Sequence, residues 1–349
     1  MVFGIELTTV WFVLIAVLWI GYFVLEGFDF GVGVLLPVLG SDDRERRVIV
    51  NTIGPVWDGN EVWLLVAGGA TFAAFPEWYA TLFSGFYLPL LIILVALIVR
   101  GVAFEFRGKH DDARWRSRWD RAIFWGSLLP AILWGVAFGN IVRGVPIDAD
   151  HEFTGNLLTL LNPYSLLGGL TTLTLFVTHG AVFLALKTNG DLRQSANRLA
   201  SWSAPTAIIV AGAFLAVTQV NHGDEWSGIA ALLAAMCLVG VVLTNRVGRE
   251  GRAFLLSALA IGLGVAALFL ALWPDVMPSS TDPAFSLTVE NASSTDYTLK
   301  VMTWVAVLIT PVVLVYQGWT YWIFRKRIGP DQIPMPAEPA PEPRPTQAA

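Results

Sequence analysis

The stretch GPVWDGNEVWLLVAGGATFAAF, residues 54–75, decides how this chain is read. Its second half is apolar and uncharged, as a segment entering a bilayer core must be. Its first half carries Asp58 and Glu61, flanked by Trp57 and Trp63, at the mouth of that run. Ionisable groups at the edge of a hydrocarbon layer are costly to keep, so carboxylates in that position mark a functional site by default. The same quarter of the chain adds Glu26, Asp29, Arg100 and Glu105, so the acids form a cluster and not a single stray residue.

Composition extends the reading to the whole chain. Of 349 residues, 55% are hydrophobic and 14% charged, against about 25% charged in soluble domains. Apolar runs recur along the chain, each about 20 residues long and sufficient to cross a core of roughly 30 Å. The short alternating segments of a β-barrel are missing. The chain reads as an all-α integral membrane protein. Its first apolar segment continues without a small-residue cleavage site, so no cleavable signal peptide is expected.

Nine spans are expected, over 8–30, 53–75, 80–103, 121–142, 163–186, 202–219, 228–245, 253–273 and 300–323. All but Arg143 and Lys300 of the 22 basic residues then fall on one side. Basic loops stay in the cytoplasm, which places the N-terminus outside and the C-terminus inside. The spans group as a four-helix bundle bearing the acid cluster (1–142) and a second four-helix bundle (143–273). An external loop and a peripheral ninth helix come next (274–327). The Pro-, Ala- and Glu-rich segment 328–349 is expected to be a disordered cytoplasmic tail. Small-residue clusters at Ala67-Gly68-Gly69-Ala70 and Gly168-Gly169 are expected to let helices approach closely.

Glu26 and Asp29 are three residues apart, as are Asp58 and Glu61. On a helix each pair shares a face. Arg100 and Glu105 close the third span at the same depth. Burial raises the pKa of a lone carboxyl and a nearby Arg lowers it. Acids with separated pKa values can pass protons from one to the next, the logic of a relay. A blander reading fits the same spacing. Asp58-Gly59-Asn60 is also a turn signal, Asp29 lies among glycines that suit an interfacial loop, and structural ion pairs perturb pKa values too. At the level of residues both readings stand.

The remaining residues exclude more than they assign. Cys237 has no partner for an internal disulfide and reads as a small buried apolar residue. Of His110, His151, His179 and His222, only His179 lies in an apolar run. A haem held between two helices wants two axial ligands at membrane depth, so no cofactor is expected on this chain's own residues, and His179 reads as a helix-packing group. Trp11, Trp78, Trp115, Trp119, Trp226, Trp273 and Trp322 lie near span ends and read as interfacial anchors. Trp57 and Trp63 have the alternative of packing on a partner subunit or a quinone. The basic stretch 107–121 suits anionic lipid headgroups and not nucleic acid. No phosphate loop, zinc spacing or nucleophile motif occurs.

Several long motifs in order resemble the second, smaller subunit of the cytochrome bd quinol oxidases. They are EGFDFGVGVLLPVLG (26–40), DRERRVIVNTIGPVWDGNEVWLLVAGGATFAAFPEWYATLFSGFY (43–87), WRSRWDRAIFWGSLLPAILWGVAFGNIVRGVP (115–146), TGNLLTLLNPYSLLGGL (154–170) and MPSSTDPAFSLTVENASSTDYTLKVMTWVAV (277–307). The resemblance implies nine helices and a complex that oxidises a quinol and reduces dioxygen to water without proton pumping. It places two haems b and one haem d, together with the quinol site, in subunit 1. It also implies a cytoplasmic proton route at the subunit interface, carried by Asp58 of the WDGN motif, with Asp29 and Arg100 at matching motif positions. At 105 some relatives have Asp where this chain has Glu. Glu26, Glu61 and Trp57 are carried as neighbours on that route. Partners expected are subunit 1, a small accessory subunit, membrane lipids and quinol, in a bacterial plasma membrane. Two rivals use the same residues: a stand-alone ion-coupled transporter, which would show discontinuous helices with binding at the midplane, and a purely structural scaffold.

Overall fold

The computed structural model describes residues 6–333. The chain is helical almost throughout: α1 (Leu7–Leu39), α2 (Asp43–Ile53), α3 (Trp57–Ala74), α4 (Pro76–Gly85), α5 (Tyr87–Phe106), α6 (Ala113–Arg143), α7 (Leu157–Leu160), α8 (Pro163–Lys187), α9 (Gly190–His222), α10 (Glu225–Arg246), α11 (Glu250–Leu272) and α12 (Asp296–Ile323). Eight of these, α1, α5, α6 and α8–α12, are long and apolar enough to cross a membrane. The second expected span, α3, is not among the eight, because Asp58, Asn60 and Glu61 occupy its first turns.

Several helices outrun the expected spans. With 33 residues, α1 is about 50 Å long and carries Asp29 in mid-helix, not in a loop. The basic stretch after α5 is mostly helical, since α6 begins at Ala113 behind its Asp112 cap. Between α1 and α3 lies the amphipathic α2. Its Asp42 cap accepts from the Glu45 amide at 2.8 Å, and it buries Val48, Ile49 and Ile53. The connection before α12 holds a small antiparallel pair, β1 (Asp275–Met277) with β2 (Leu287–Thr288).

At the centre, α1, α6 and α8 pack on one another. α3 and α5 are added on one side, and α9, α10 and α11 on the other. Glycines set the two closest crossings. A Cβ on Gly135 of α6 would strike the Gly168 backbone of α8, and one on Gly31 of α1 would strike the backbone at Phe176 and Gly180. The expectation for Gly168-Gly169 therefore holds, whereas Gly68 and Gly69 meet nothing within 4 Å. These two line an apolar cleft of about 450 Å³ between α3, α4 and α5, floored by Trp19 and Trp134. Beneath it Trp19 packs edge-on against Trp134 and Phe138 at 5.0 Å, and Trp134 Nε1 donates to the Tyr22 hydroxyl at 3.1 Å.

Two of the tryptophans assigned to the membrane interface are core residues. Trp78 is buried, as is Trp11, whose Nε1 donates to Leu299 O (3.2 Å) and Thr303 Oγ1 (3.0 Å) of α12. Trp226, Trp273 and Trp322 are exposed as expected. Beyond α12 the chain stays packed through Ile333. Ile328 N donates to Lys187 O at 2.9 Å, and Arg44 Nη2 to Ile333 O at 3.2 Å. Residues 328–333, expected to belong to a disordered tail, are thus packed on the bundle, and residues 334–349 lie outside the described residues.

Candidate functional site

Arg100, in the fourth turn of α5, is wholly buried. A buried guanidinium must be paired, and two carboxylates do this. Its Nη2 donates to Glu26 Oε1 of α1 and, at 3.0 Å, to Glu61 Oε2 of α3. Glu26 is fully enclosed, whereas the Glu61 side chain keeps 25% of its surface exposed. The guanidinium also lies over the Phe30 ring at 4.7 Å and near that of Phe104 at 5.8 Å. One nitrogen therefore holds an inner and an outer acid side by side.

Asp29 lies one turn along α1 from Glu26, and it too is wholly buried. Its Oδ2 accepts from Asn60 Nδ2 at 2.7 Å. The Asn60 carbonyl faces α12, accepting from the Tyr321 hydroxyl at 2.7 Å and from Gln317 Nε2 at 3.3 Å. Gln317 Oε1 in turn accepts from Trp63 Nε1 at 2.8 Å. Two donors on the carbonyl fix the amide, so its NH2 must point at Asp29. Glu26 Oε2, Asp29 Oδ1 and Arg100 Nε and Nη1 are buried without a protein partner among the described residues.

The structure brings Glu26, Asp29, Glu61 and Arg100 together. It does not bring in Asp58 or Glu105, which are exposed on the isolated chain. Both occupy defined places. Asp58 sits in the first turn of α3, where the helix dipole favours an anion, below exposed Val62, Leu65, Val66 and Phe72 on the same face. Glu105 ends a similar exposed stripe on α5 through Leu94, Ile98 and Val102. Trp57 packs on Phe104 with ring centroids 5.1 Å apart, and Trp63 lies against Gly21. Both therefore make contacts within the chain. Asn60, Gln317 and Tyr321 were missed by sequence reasoning. The available signal was polar residues at i and i+4 in an otherwise apolar ninth span.

A second ionic cluster lies at the same end of the bundle, outside the spans. Arg107 is buried and donates from Nε to Asp120 at 2.5 Å and from Nη2 to Asp43 at 2.9 Å. Arg46 reaches Asp120 at 3.2 Å, and Arg116 also pairs with Asp43. The cluster clamps α2 onto the α5–α6 corner. Burial raises the Asp43 pKa, but Arg107 and Arg116 outweigh it and hold the carboxyl below its usual range. A lowered folded-state value stabilises above the ordinary pKa of about 3.9 and is lost as pH falls through the folded one. The thermal midpoint of the parent should therefore drop more steeply below about pH 4 than that of Asp43→Asn. Parallel curves from scanning fluorimetry would contradict the clamp.

His179, the one histidine in an apolar run, is not free to ligate a haem. His179 is buried, but both ring nitrogens are committed, Nδ1 to Ser257 Oγ at 2.7 Å and Nε2 to Val24 O at 3.1 Å. Its ring stacks on Phe254 with centroids 4.6 Å apart.

Fold and site together define a polytopic helical membrane protein whose first helices bring together a Glu–Arg–Glu triad. Residues 7–324 match the family model described as cytochrome bd terminal oxidase subunit II, and the chain belongs to that family. It is similar to cytochrome bd ubiquinol oxidase subunit 2 of Bacillus subtilis (strain 168), at 45% identity over 93% of this chain and 97% of that protein. It is also similar to cytochrome bd-I ubiquinol oxidase subunit 2 of Escherichia coli (strain K12), at 38% identity over 93% and 96%. Among solved structures, the bd oxidase from Geobacillus thermodenitrificans superposes with a TM-score of 0.74 over 92% of this chain and 100% of that one. The identity there is 17%, so this likeness speaks for the fold. The protein is a multi-pass protein of a bacterial plasma membrane.

Proposed function

We propose that this chain is the haem-free second subunit of a quinol:dioxygen oxidoreductase, and that it carries protons from the cytoplasm toward its haem-bearing partner. The observation that carries the reading is the graded placement of the acids. Asp58 and Glu105 stand at the rim, Glu61 is half-way in, and Glu26 and Asp29 are enclosed. Arg100 keeps its proton at every working pH, so it cannot itself relay one. Its role is to hold Glu26 and Glu61 on one nitrogen, which brings two carboxylates within reach of each other. Asn60 in turn fixes the Asp29 carboxylate. Water joining the four unpaired buried atoms would complete the connection, as buried polar groups commonly hold ordered water.

The haems and quinol belong to the partner, where the electron transfer takes place. The nine-crossing arrangement is part of this reading. With 18 residues, α3 is about 27 Å long, close to the thickness of the core. The N-terminus lies outside, the C-terminus inside, and α12 stands apart from the two helix groups. Subunit 1 covers the apolar faces of α3 and α5, which would enclose Asp58 and Glu105 at the joint. A small accessory subunit and quinol complete the partners.

The test is purification of a tagged chain from its own membranes. A haem-bearing partner in fixed ratio, with quinol oxidase activity, is the expected result. A colourless chain that transports ions alone would replace this reading with the transporter.

A further inference from the structure

A groove of about 660 Å³ runs between α5 and α6 on the outside of the bundle. Its α6 wall is one helix face, Arg118, Arg121, Ala122, Trp125 and Leu129, spaced at i+3 and i+4. Its α5 wall is apolar from Leu91 to Val99, roughly 12 Å of helix. The groove is thus a hydrocarbon slot closed at one end by two guanidinium groups.

Those two groups differ from the arginines of the ionic cluster beside them. Arg46, Arg107 and Arg116 are spent on Asp43 and Asp120. Arg118 has no partner among the described residues, and Arg121 donates only to the Ser117 carbonyl, at 3.4 Å. The tryptophans of the basic stretch do not serve this slot. Trp115 and Trp119 pack on each other at 5.6 Å, and Trp115 Nε1 donates to Phe106 O at 2.8 Å. Trp125, 54% exposed, lines the slot directly.

We propose that this groove is a binding site for one anionic phospholipid, its phosphate between Arg118 and Arg121 and one acyl chain along α5. Charge and shape select this occupant together. A soluble anion leaves the slot bare, and an apolar helix leaves both cations unneutralised. A phospholipid satisfies both, because arginine presents a fork that matches phosphate oxygens, and an aromatic ring at the rim suits the headgroup level.

The experiment is native mass spectrometry of the intact purified complex, exchanged into detergent with equimolar phosphatidylglycerol and phosphatidylcholine of identical chains. The parent is expected to retain one phosphatidylglycerol selectively. Arg118→Gln with Arg121→Gln should weaken that retention about thirtyfold, the factor two cations contribute near an anionic headgroup. Val95→Phe should also abolish it, by filling the slot without touching a charge. Retention at the parent level in either variant overturns the site. A photo-crosslinker at Ala122, in an otherwise unaltered chain, should capture lipid, and capture of a protein subunit there overturns the proposal even if the variants fail to assemble.

Discussion

An Arg100→Leu variant is expected to lose most of its assembled protein, and the double variant Arg100→Leu with Glu26→Leu to recover it. Arg100 and Glu26 are both fully buried and bonded to each other. Removing one member of such a pair strands the other charge in a low-dielectric interior, at a cost of about 3–5 kcal/mol. That is a large part of the roughly 5–15 kcal/mol that holds a folded domain together. Removing both with apolar side chains is often neutral or stabilising. Glu61 tolerates the loss because its side chain reaches the surface. The check is the amount of chain in the membrane fraction and its thermal midpoint. A double variant as defective as the single one would mean that the guanidinium is needed for something other than Glu26.

Asn60→Leu is expected to loosen α12 and to strip Asp29 of its partner in one step. Asn60 serves three side chains, Asp29 on α1 and Gln317 and Tyr321 on α12. Each buried group left unsatisfied costs about 1–3 kcal/mol, so the two 2.7 Å bonds alone account for roughly 2–6 kcal/mol. α12 has little else to hold it, since its apolar window is only 6% buried. Its other side-chain ties are Trp63, which donates to Gln317 beside Asn60, and Trp11, near the opposite end. Amide hydrogen exchange in the last turns of α12 should therefore rise sharply while α1 stays protected. Tyr321→Phe, which removes one bond, should give a smaller change of the same kind. Unchanged exchange in α12 for Asn60→Leu would refute the latch.

Much of this was legible in the sequence, and the limits have physical causes. The apolar runs gave the spans because nothing else keeps about 20 uncharged residues together, and the clustering of Glu26, Asp29, Glu61 and Arg100 at one depth came from their places in those runs. Helix ends were misjudged in α6, where polar residues continue the helix on the N-terminal side of Arg121, and in α1, where Gly31, Gly33 and Pro37 suggested an end although the helix runs on to Leu39. Hydropathy cannot see a helix that leaves the bilayer. Which acids are enclosed was not readable either. Glu26 and Glu105 both lie at the edge of apolar runs, but one faces the α1–α5 contact and the other faces outward. Trp11 and Trp78 looked like anchors for the same reason: position along the axis is in the sequence, and direction around it is set by packing. Asn60 was masked by its own motif, because Asp-Gly-Asn reads as a turn until the fold shows a helix starting at Trp57.

The proposed proton route rests on Asp58, and its most direct test is quinol-driven oxygen consumption by the purified complex carrying Asp58→Asn. Oxygen consumption is predicted to fall at least about 100-fold, the lower end of the range of roughly 100- to 10,000-fold that a positioned acid or base contributes. The visible spectrum and the subunit ratio should stay unchanged, and Asp58→Glu should recover turnover. Full turnover in Asp58→Asn would contradict the route.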